Sequence, residues 1–323
     1  MQRFTPTNST DVGTVTDTMS PKSIKIPLFL VFLTIFLPAR AQSESWSIVP
    51  GDGLNQQRVV IEENIIIGQY FDLMADLVDT LNAQTGRKIT EHILVHANYW
   101  IVDSLVETDY YQRMEKGIFT FDQRELIILK KNDTLLVPHW QEITVLQAKL
   151  DATALDINIP EFKLRILENG NVLRSMPVRV GRNTRRYLEA VKRMEDLRTK
   201  TGEGRIVRIE KNPIFFDPVN AKKYELTRRD DGKRTRTPRI PWLEPEINGQ
   251  RHGQLIHPTT NPKTLGKAYS NGCVGVGEGD AWRIYYHAPI GTRVIIRYDL
   301  ETDNTRGEKN GLFDIYGKKA SIE

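Results

Sequence analysis

The feature that most constrains the fold is a β-hairpin pattern between residues 154 and 180. Asn169-Gly170 lies at its centre, and this pair readily adopts the positive φ angles of a tight hairpin turn. The residues before the turn follow the period-2 pattern of a strand with one buried face. With one slip at Pro160, the apolar members of that pattern are Ile157, Ile159, Phe162, Leu164 and Ile166. This stretch therefore predicts antiparallel strands and a mostly-β region.

The composition is that of an ordinary globular protein. The 323 residues are 39% hydrophobic and 27% charged, which is enough for one large or two modest domains. The formal charge is +4, and four basic against two acidic residues in 1–41 leave +2 for the rest. Because this balance is nearly even, no nucleic-acid partner is expected.

Residues 1–41 have the layout of a secretory signal peptide. Lys22 and Lys25 precede an apolar run over 26–37, and Ala39-Arg40-Ala41 follows, as in a small-x-small cleavage site. The run is shorter than the roughly 20 residues of a membrane span, so an uncleaved anchor is the less favoured alternative. We expect an exported protein in the periplasm or cell wall, with membrane contact only through the signal before cleavage.

Residues 42–150 are predicted to form a smaller, helix-rich α/β accessory domain. Apolar residues recur at helical spacing over 66–82, and a second helix is predicted over 98–116, with a short strand at 92–95 between them. The run 132–138, NDTLLVP, resembles the end of a LysM-like wall-binding module, but the opening pattern of that module is missing. A plain helical packing domain is therefore favoured. His92, His96 and His139 lack metal-ligand spacing.

The chemistry is concentrated in residues 254–276, which contain Cys273, the only cysteine of the chain. His257 lies upstream on the far side of a polar loop, and a thiol nucleophile needs such a base. The apolar residues beside each of them predict strand ends that project both from a sheet edge. A lone cysteine is more often a small buried apolar residue, so this alternative stays open on the pair alone.

The segment resembles the active site of the L,D-transpeptidase (YkuD-type) family: a histidine, a loop, then Ser-His-Gly-Cys, an apolar residue and arginine. Further motifs at 201–202, 212–213 and 289–292 extend the resemblance over residues 151–300. It implies a mostly-β catalytic domain in an α+β chain, with Cys273 as nucleophile and His257 as base. It also implies that a backbone carbonyl orients the histidine, and that the amides of Gly272 and Cys273, beside Ser270, form an oxyanion hole.

The motif departs from the family pattern at three positions. Asn271 stands where histidine is usual, and Pro258 follows the catalytic histidine where glycine is common. Asn271 can donate a hydrogen bond but cannot titrate. Gly275 replaces the arginine, which leaves open how the substrate carboxylate or the loop is held.

Four segments outside the motif carry further predictions. Residues 183–198 are basic and helix-capable, and a solvated face is favoured over a polyanion site. Residues 222–239 are predicted to form an exposed hairpin or a lid over the substrate cleft, and a surface loop without a role is the alternative. A helix over 278–286 and a closing strand over 292–298 are predicted before a loosely attached polar tail, 301–323.

The resemblance implies a transferase of peptidoglycan biosynthesis that acts on stem peptides and so affects cell wall organisation and cell shape. Its cysteine would form a thioester with a tetrapeptide stem, release D-Ala, and pass the acyl group to an amine as a 3→3 cross-link. A hydrolase that uses water as acceptor and a non-catalytic wall-binding protein are the alternatives. No cofactor or metal is expected, and the oligomeric state is left open.

Overall fold

A computed structural model describes residues 45–51, 57–217, 219–301 and 312–318. The predicted signal peptide and most of the predicted tail lie outside these residues. None of the helices within the described ranges has the length and apolar character needed to cross a membrane.

The N-terminal part combines five helices with short strands. The strands β1 (Trp46–Pro50), β2 (Gln57–Ile61) and β5 (Thr134–Leu136) form one sheet, and β3 (Ile65–Ile66) pairs with β4 (Ile127–Leu129). The helices are α1 (Ile67–Thr85), α2 (Glu91–Ala97), α3 (Trp100–Val106), α4 (Tyr110–Glu115) and α5 (Trp140–Asp151). The predicted helix-rich α/β character of this part is confirmed.

The predicted strand at 92–95 is wrong, because these residues lie inside α2. The Thr90 side chain accepts a hydrogen bond from the Ile93 N–H at 3.2 Å and so caps the helix. The predicted helix over 98–116 is divided into α3 and α4, and the Asp109 side chain caps the second of these.

The C-terminal part is built on an eight-stranded sheet, which confirms the mostly-β prediction. Its order is β18-β16-β15-β12-β19-β6-β7-β8. These strands are β6 (Thr153–Asn158), β7 (Lys163–Glu168), β8 (Asn171–Pro177), β12 (Gly202–Glu210), β15 (Trp242–Ile247), β16 (Ile256–Pro258), β18 (Val274–Val276) and β19 (Arg293–Arg297).

The predicted Asn-Gly hairpin joins β7 to β8. Asn169 and Gly170 have φ angles of 51° and 79°, and Glu168 pairs directly with Asn171. A two-residue loop with both φ angles positive matches the right-handed twist of the flanking strands. The slip at Pro160 is a turn that separates β6 from β7.

Three two-stranded ribbons complete the C-terminal part of the described chain. They are β9 (Val180–Gly181) with β17 (Ala268–Ser270), β10 (Arg185–Leu188) with β11 (Arg193–Asp196), and β13 (Leu226–Arg228) with β14 (Arg234–Arg236). The helix prediction for 183–198 is therefore wrong. Because the local sequence has no continuous apolar helix face, the chain turns at Lys192, with φ of 52°, and exposes its basic side chains on a hairpin.

The helix predicted over 278–286 is confirmed as α6 (Glu278–His287), which contacts the N-terminal helices α2 and α3 on one side and β16 of the large sheet on another. Tyr285 and Tyr286 donate from their hydroxyls to Glu91 at 2.8 and 3.0 Å. His92 and His96 bond to backbone carbonyls of α6, so both are packing residues. One hydrophobic cluster extends through both parts of the described chain, and a domain boundary near residue 150 stays a prediction.

Candidate active site

The pairing of β16 with β18 brings His257 and Cys273 to neighbouring strand ends. The strands are parallel, with Ile256 opposite Val274 and His257 opposite Gly275. Cys273 therefore lies just before β18, and its sulfur is 3.4 Å from the N–H of Leu255. His257 lies within β16, Cys273 immediately precedes the edge strand β18, and both residues are half-buried.

The imidazole of His257 is held by the backbone. Its Nδ1 lies 2.8 Å from the carbonyl oxygen of Pro258, so Nδ1 carries the proton and donates to that oxygen. Nε2 is then the basic nitrogen, and it has no hydrogen-bond partner in the described part of the chain. The ring also packs on Trp242, with ring centroids 5.6 Å apart. The bond from Nδ1 to the Pro258 carbonyl is the orienting contact that the family resemblance implied.

The turn before Cys273 is closed by Ser270. Its hydroxyl donates to the Cys273 carbonyl at 2.6 Å and accepts from the Gly272 N–H at 3.2 Å. Gly272 has a φ of +111°, and a Cβ there would lie 2.8 Å from Nε2 of Gln254. Only glycine fits this conformation without strain.

The two amides predicted for an oxyanion hole differ in their availability. The Gly272 N–H is already bonded to Ser270, whereas the Cys273 N–H has no acceptor among the described residues. The Asn271 side chain has a buried Oδ1 that likewise lacks a partner there. Of the predicted supporting residues, Ser270 and Gly272 thus shape the turn, and the Cys273 amide is free to bind an oxyanion.

Sequence reasoning missed Thr199, which hydrogen-bonds to the turn before Cys273. Its hydroxyl donates to the Gly272 carbonyl at 2.9 Å and accepts from the Gly181 N–H at 2.8 Å. The hydroxyl of Tyr316 in turn donates to the Gly181 carbonyl at 2.6 Å and accepts from the Thr199 N–H at 3.1 Å. Tyr316 is buried, so residues 312–318 pack on the domain, contrary to the loosely attached tail predicted there.

Replacing Thr199 with valine tests this support. Thr199→Val keeps the shape of the side chain but leaves the Gly272 carbonyl and the Gly181 N–H unpaired. We expect the free energy of unfolding to fall by about 1–3 kcal/mol, measured by urea denaturation. Thr199→Ser retains the hydroxyl and should lose much less; equal losses for the two variants would contradict the role of the hydroxyl.

Burial keeps both reacting groups neutral at rest. It lowers the pKa of His257 to about 4, and the nearby Arg179 cation acts in the same direction. Burial also raises the pKa of the Cys273 thiol, against the smaller opposing effects of the Leu255 N–H and Arg179. The resting site is therefore a thiol beside a neutral imidazole, and the proton must move as the sulfur attacks.

This charge state predicts the acid side of the pH profile. His257 acts as base only when neutral, and with its pKa lowered to about 4 it stays neutral well below the usual value near 6.5. We expect kcat/KM of any reaction in which His257 is the base to fall only as the pH drops through about 4. A decline centred near 6.5, in protein whose circular dichroism is unchanged at that pH, would contradict this assignment.

The predicted lid is a hairpin that is fastened to the N-terminal part. Asp230 accepts from the backbone N–H of Lys263 at 2.7 Å, and its own N–H donates to the hydroxyl of Tyr111 at 2.8 Å. That hydroxyl donates to the carbonyl of Thr260 at 3.0 Å. The hairpin and α4 therefore brace the loop that follows His257.

The described residues contain no group of three or more His, Cys, Asp or Glu arranged to hold a metal.

Comparison with known proteins finds one family model that matches part of the chain. Solved structures similar to this chain include the L,D-transpeptidase LdtMt1 in complex with imipenem, with 16% identity, a TM-score of 0.31, and coverage of 46% of this chain and 59% of that one. An L,D-transpeptidase from Mycobacterium smegmatis has 16% identity, a TM-score of 0.31, and coverage of 45% of this chain and 58% of that one. An L,D-transpeptidase from Xylanimonas cellulosilytica has 17% identity, a TM-score of 0.33, and coverage of 61% of this chain and 91% of that one. The chain thus spans less than two thirds of the first two proteins. No curated protein matches it. Residues 152–296 match the family model of YkuD, the L,D-transpeptidase catalytic domain, which is the family that the motifs predicted.

Proposed function

We propose that the protein is an exported, cysteine-dependent peptidoglycan L,D-transpeptidase. The observation that carries this proposal is the strand pairing that brings Cys273 beside His257, with Nδ1 of the histidine held by a carbonyl and Nε2 free. The family match supports a peptidoglycan stem peptide as the substrate. The signal-like segment 1–41, which lies outside the described residues, supports export to the periplasm or cell wall.

In the first half-reaction, Nε2 of His257 takes the thiol proton while Sγ of Cys273 attacks the carbonyl carbon between the third stem residue and the terminal D-Ala. The Cys273 amide binds the oxyanion that forms. The C–N bond then breaks, His257 gives the proton to the leaving amine of D-Ala, and a thioester remains.

In the second half-reaction, the side-chain amine of a neighbouring stem attacks the thioester carbonyl. His257 takes the proton lost by the amine and returns it to the departing sulfur. The products are a 3→3 cross-linked dimer and the free thiol. Water in place of the amine would give a shortened stem, which is the outcome for a carboxypeptidase or endopeptidase.

The test is mass spectrometry of purified tetrapeptide muropeptides incubated with the protein, beside a heat-denatured sample. We expect dimers that have lost one D-Ala. Tripeptides without dimers would assign the site to a hydrolase instead. Unchanged muropeptides across a broad choice of stems, from folded protein, would favour a non-catalytic wall-binding protein.

A further inference from the structure

The side chain of Arg179 fills the space that a residue at position 275 would need. The two residues exchange backbone hydrogen bonds, each 2.9 Å long. A Cβ on Gly275 would lie 2.4 Å from Nε, 2.7 Å from Cγ and 2.9 Å from Cδ of Arg179. Real Cβ atoms do not approach other atoms this closely, so Gly275 is what allows Arg179 to cross the strand at this point.

Arg179 is a partly buried cation that has no anionic partner among the described residues. Its Nε is buried with no hydrogen bond, and among the described residues its side chain makes one long hydrogen bond, from Nη1 to the Thr264 hydroxyl at 3.5 Å. It forms no salt bridge within the described ranges. Burial lowers the pKa of Arg179, and the ionisable groups with the next largest effects on that pKa are Cys273, Tyr224, Tyr269 and Arg182, none of which is a carboxylate.

Such an arrangement needs a reason, because an unpaired buried charge destabilises a fold. A guanidinium stays protonated in a protein, so Arg179 keeps its positive charge. Cys273 is neutral at rest, so the thiol does not supply the missing negative charge. The unmet requirement is therefore an anion that arrives from outside, next to the nucleophile.

We propose that Arg179 binds the terminal carboxylate of the substrate stem beside Cys273, and so takes over at a new position the cation that the motif lacks at Gly275. The identity of this carboxylate rests on the proposed function. In a tetrapeptide stem the D-Ala carboxylate is separated from the scissile nitrogen by one carbon, so it lies close to the attacked carbonyl. The Arg179 side chain lies against Gly275, two residues from Cys273, which is where such a carboxylate would be bound. A guanidinium binds a carboxylate through two parallel N–H···O bonds, which adds orientation to attraction.

The anion site can be tested without peptidoglycan. Cys273 is the only thiol of the chain, so its alkylation by iodoacetate and by neutral iodoacetamide reports this site alone. We expect Arg179→Gln to lower the ratio of the iodoacetate rate to the iodoacetamide rate about tenfold, the scale of one charge-assisted hydrogen bond. Arg185→Gln removes the same charge from the exposed strand β10 and should leave the ratio unchanged.

Two results would overturn the proposal. An unchanged ratio in folded Arg179→Gln protein means that no anion is bound there. Equal slowing by both reagents means that Arg179 acts only on ionisation of the thiol. Gly275→Ala provides a second route if Arg179→Gln does not fold, because a methyl group at 275 displaces the arginine. It is expected to lower the ratio as well, and an unchanged ratio would again reject the site.

A second experiment links the anion site to the substrate. Stem tetrapeptides that end in a carboxylate or in an amide are compared for D-Ala or D-alaninamide release. The unaltered protein should prefer the carboxylate by about tenfold in kcat/KM, and Arg179→Gln should lose that preference. No release from any stem, together with an Arg179-dependent alkylation ratio, would refute the proposed transpeptidase but keep the anion site. Release at equal rates from the carboxylate and amide stems would refute the anion site but support the proposed transpeptidase.

Discussion

Cys273→Ala protein is expected to form no acyl-enzyme and to lose at least roughly 10⁴-fold in the rate of D-Ala release, the scale on which removal of a nucleophile acts. In the proposed mechanism the thioester forms on the Cys273 sulfur, which lies 3.4 Å from the Leu255 N–H and on the strand that pairs with the one that carries His257. Intact-protein mass spectrometry after incubation with tetrapeptide stems should show the stem adduct, minus D-Ala, only in the unaltered chain.

A serine at the same position is the matched control. Cys273→Ser keeps a nucleophile of similar shape, but its hydroxyl ionises far less readily than a thiol, and a neutral His257 with a pKa of about 4 is a weak base for it. We expect this variant to be nearly as inactive as the alanine variant. Cross-linking at an undiminished rate in folded Cys273→Ala protein would show that another group forms the acyl-enzyme.

The parts of the site that the sequence predicted are those with a local signal. The Asn169-Gly170 turn requires only two adjacent residues with positive φ angles, and both are visible in the sequence. His257 and Cys273 are each flanked by apolar residues that mark short strands. The spacing did not predict that the strands are parallel, yet this pairing is what brings the two residues together.

The parts that were missed depend on contacts between distant residues. Thr199 bonds to Gly272 across 73 positions, and Tyr316 bonds to Gly181 across 135. No periodicity within a single segment encodes such a pair. Arg179 illustrates the same limit, because the loss of arginine at Gly275 has a meaning only when the two backbones are seen to touch.

The helix prediction for residues 183–198 was wrong for a different reason. Its residues favour a helix when considered one at a time, but propensity is a weak guide when no face can be buried. The strand at 92–95 was mispredicted because a short apolar run fits a buried strand and a buried helix equally well. In that case the capping residue, Thr90, was the available signal.

Glu278→Ala is expected to lower the free energy of unfolding by about 3–5 kcal/mol, as for other buried ion pairs that lose one partner. Arg229 and Glu278 form a salt bridge with side chains that are 0% and 1% exposed. Glu278 also accepts from the Tyr110 N–H at 3.0 Å and from the Gln123 side chain at 2.8 Å. Removing the carboxylate therefore leaves the buried Arg229 without its counter-ion and takes away the acceptor of the Tyr110 N–H and one acceptor of the Gln123 amide, at the junction of α4, α6 and the β13–β14 hairpin.

Urea denaturation followed by circular dichroism measures this loss, and Asp280→Ala is the matched control on the same helix. Asp280 pairs with Arg283, but those side chains are 24% and 19% exposed, so we expect a loss below about 1 kcal/mol. A double variant, Arg229→Met with Glu278→Leu, removes both charges together and should recover much of the loss. If Glu278→Ala and Asp280→Ala are equally mild, the buried pair does not hold the hairpin in place. The loop after His257 would then be held by the other contacts, which include those of Tyr111 and Asp230.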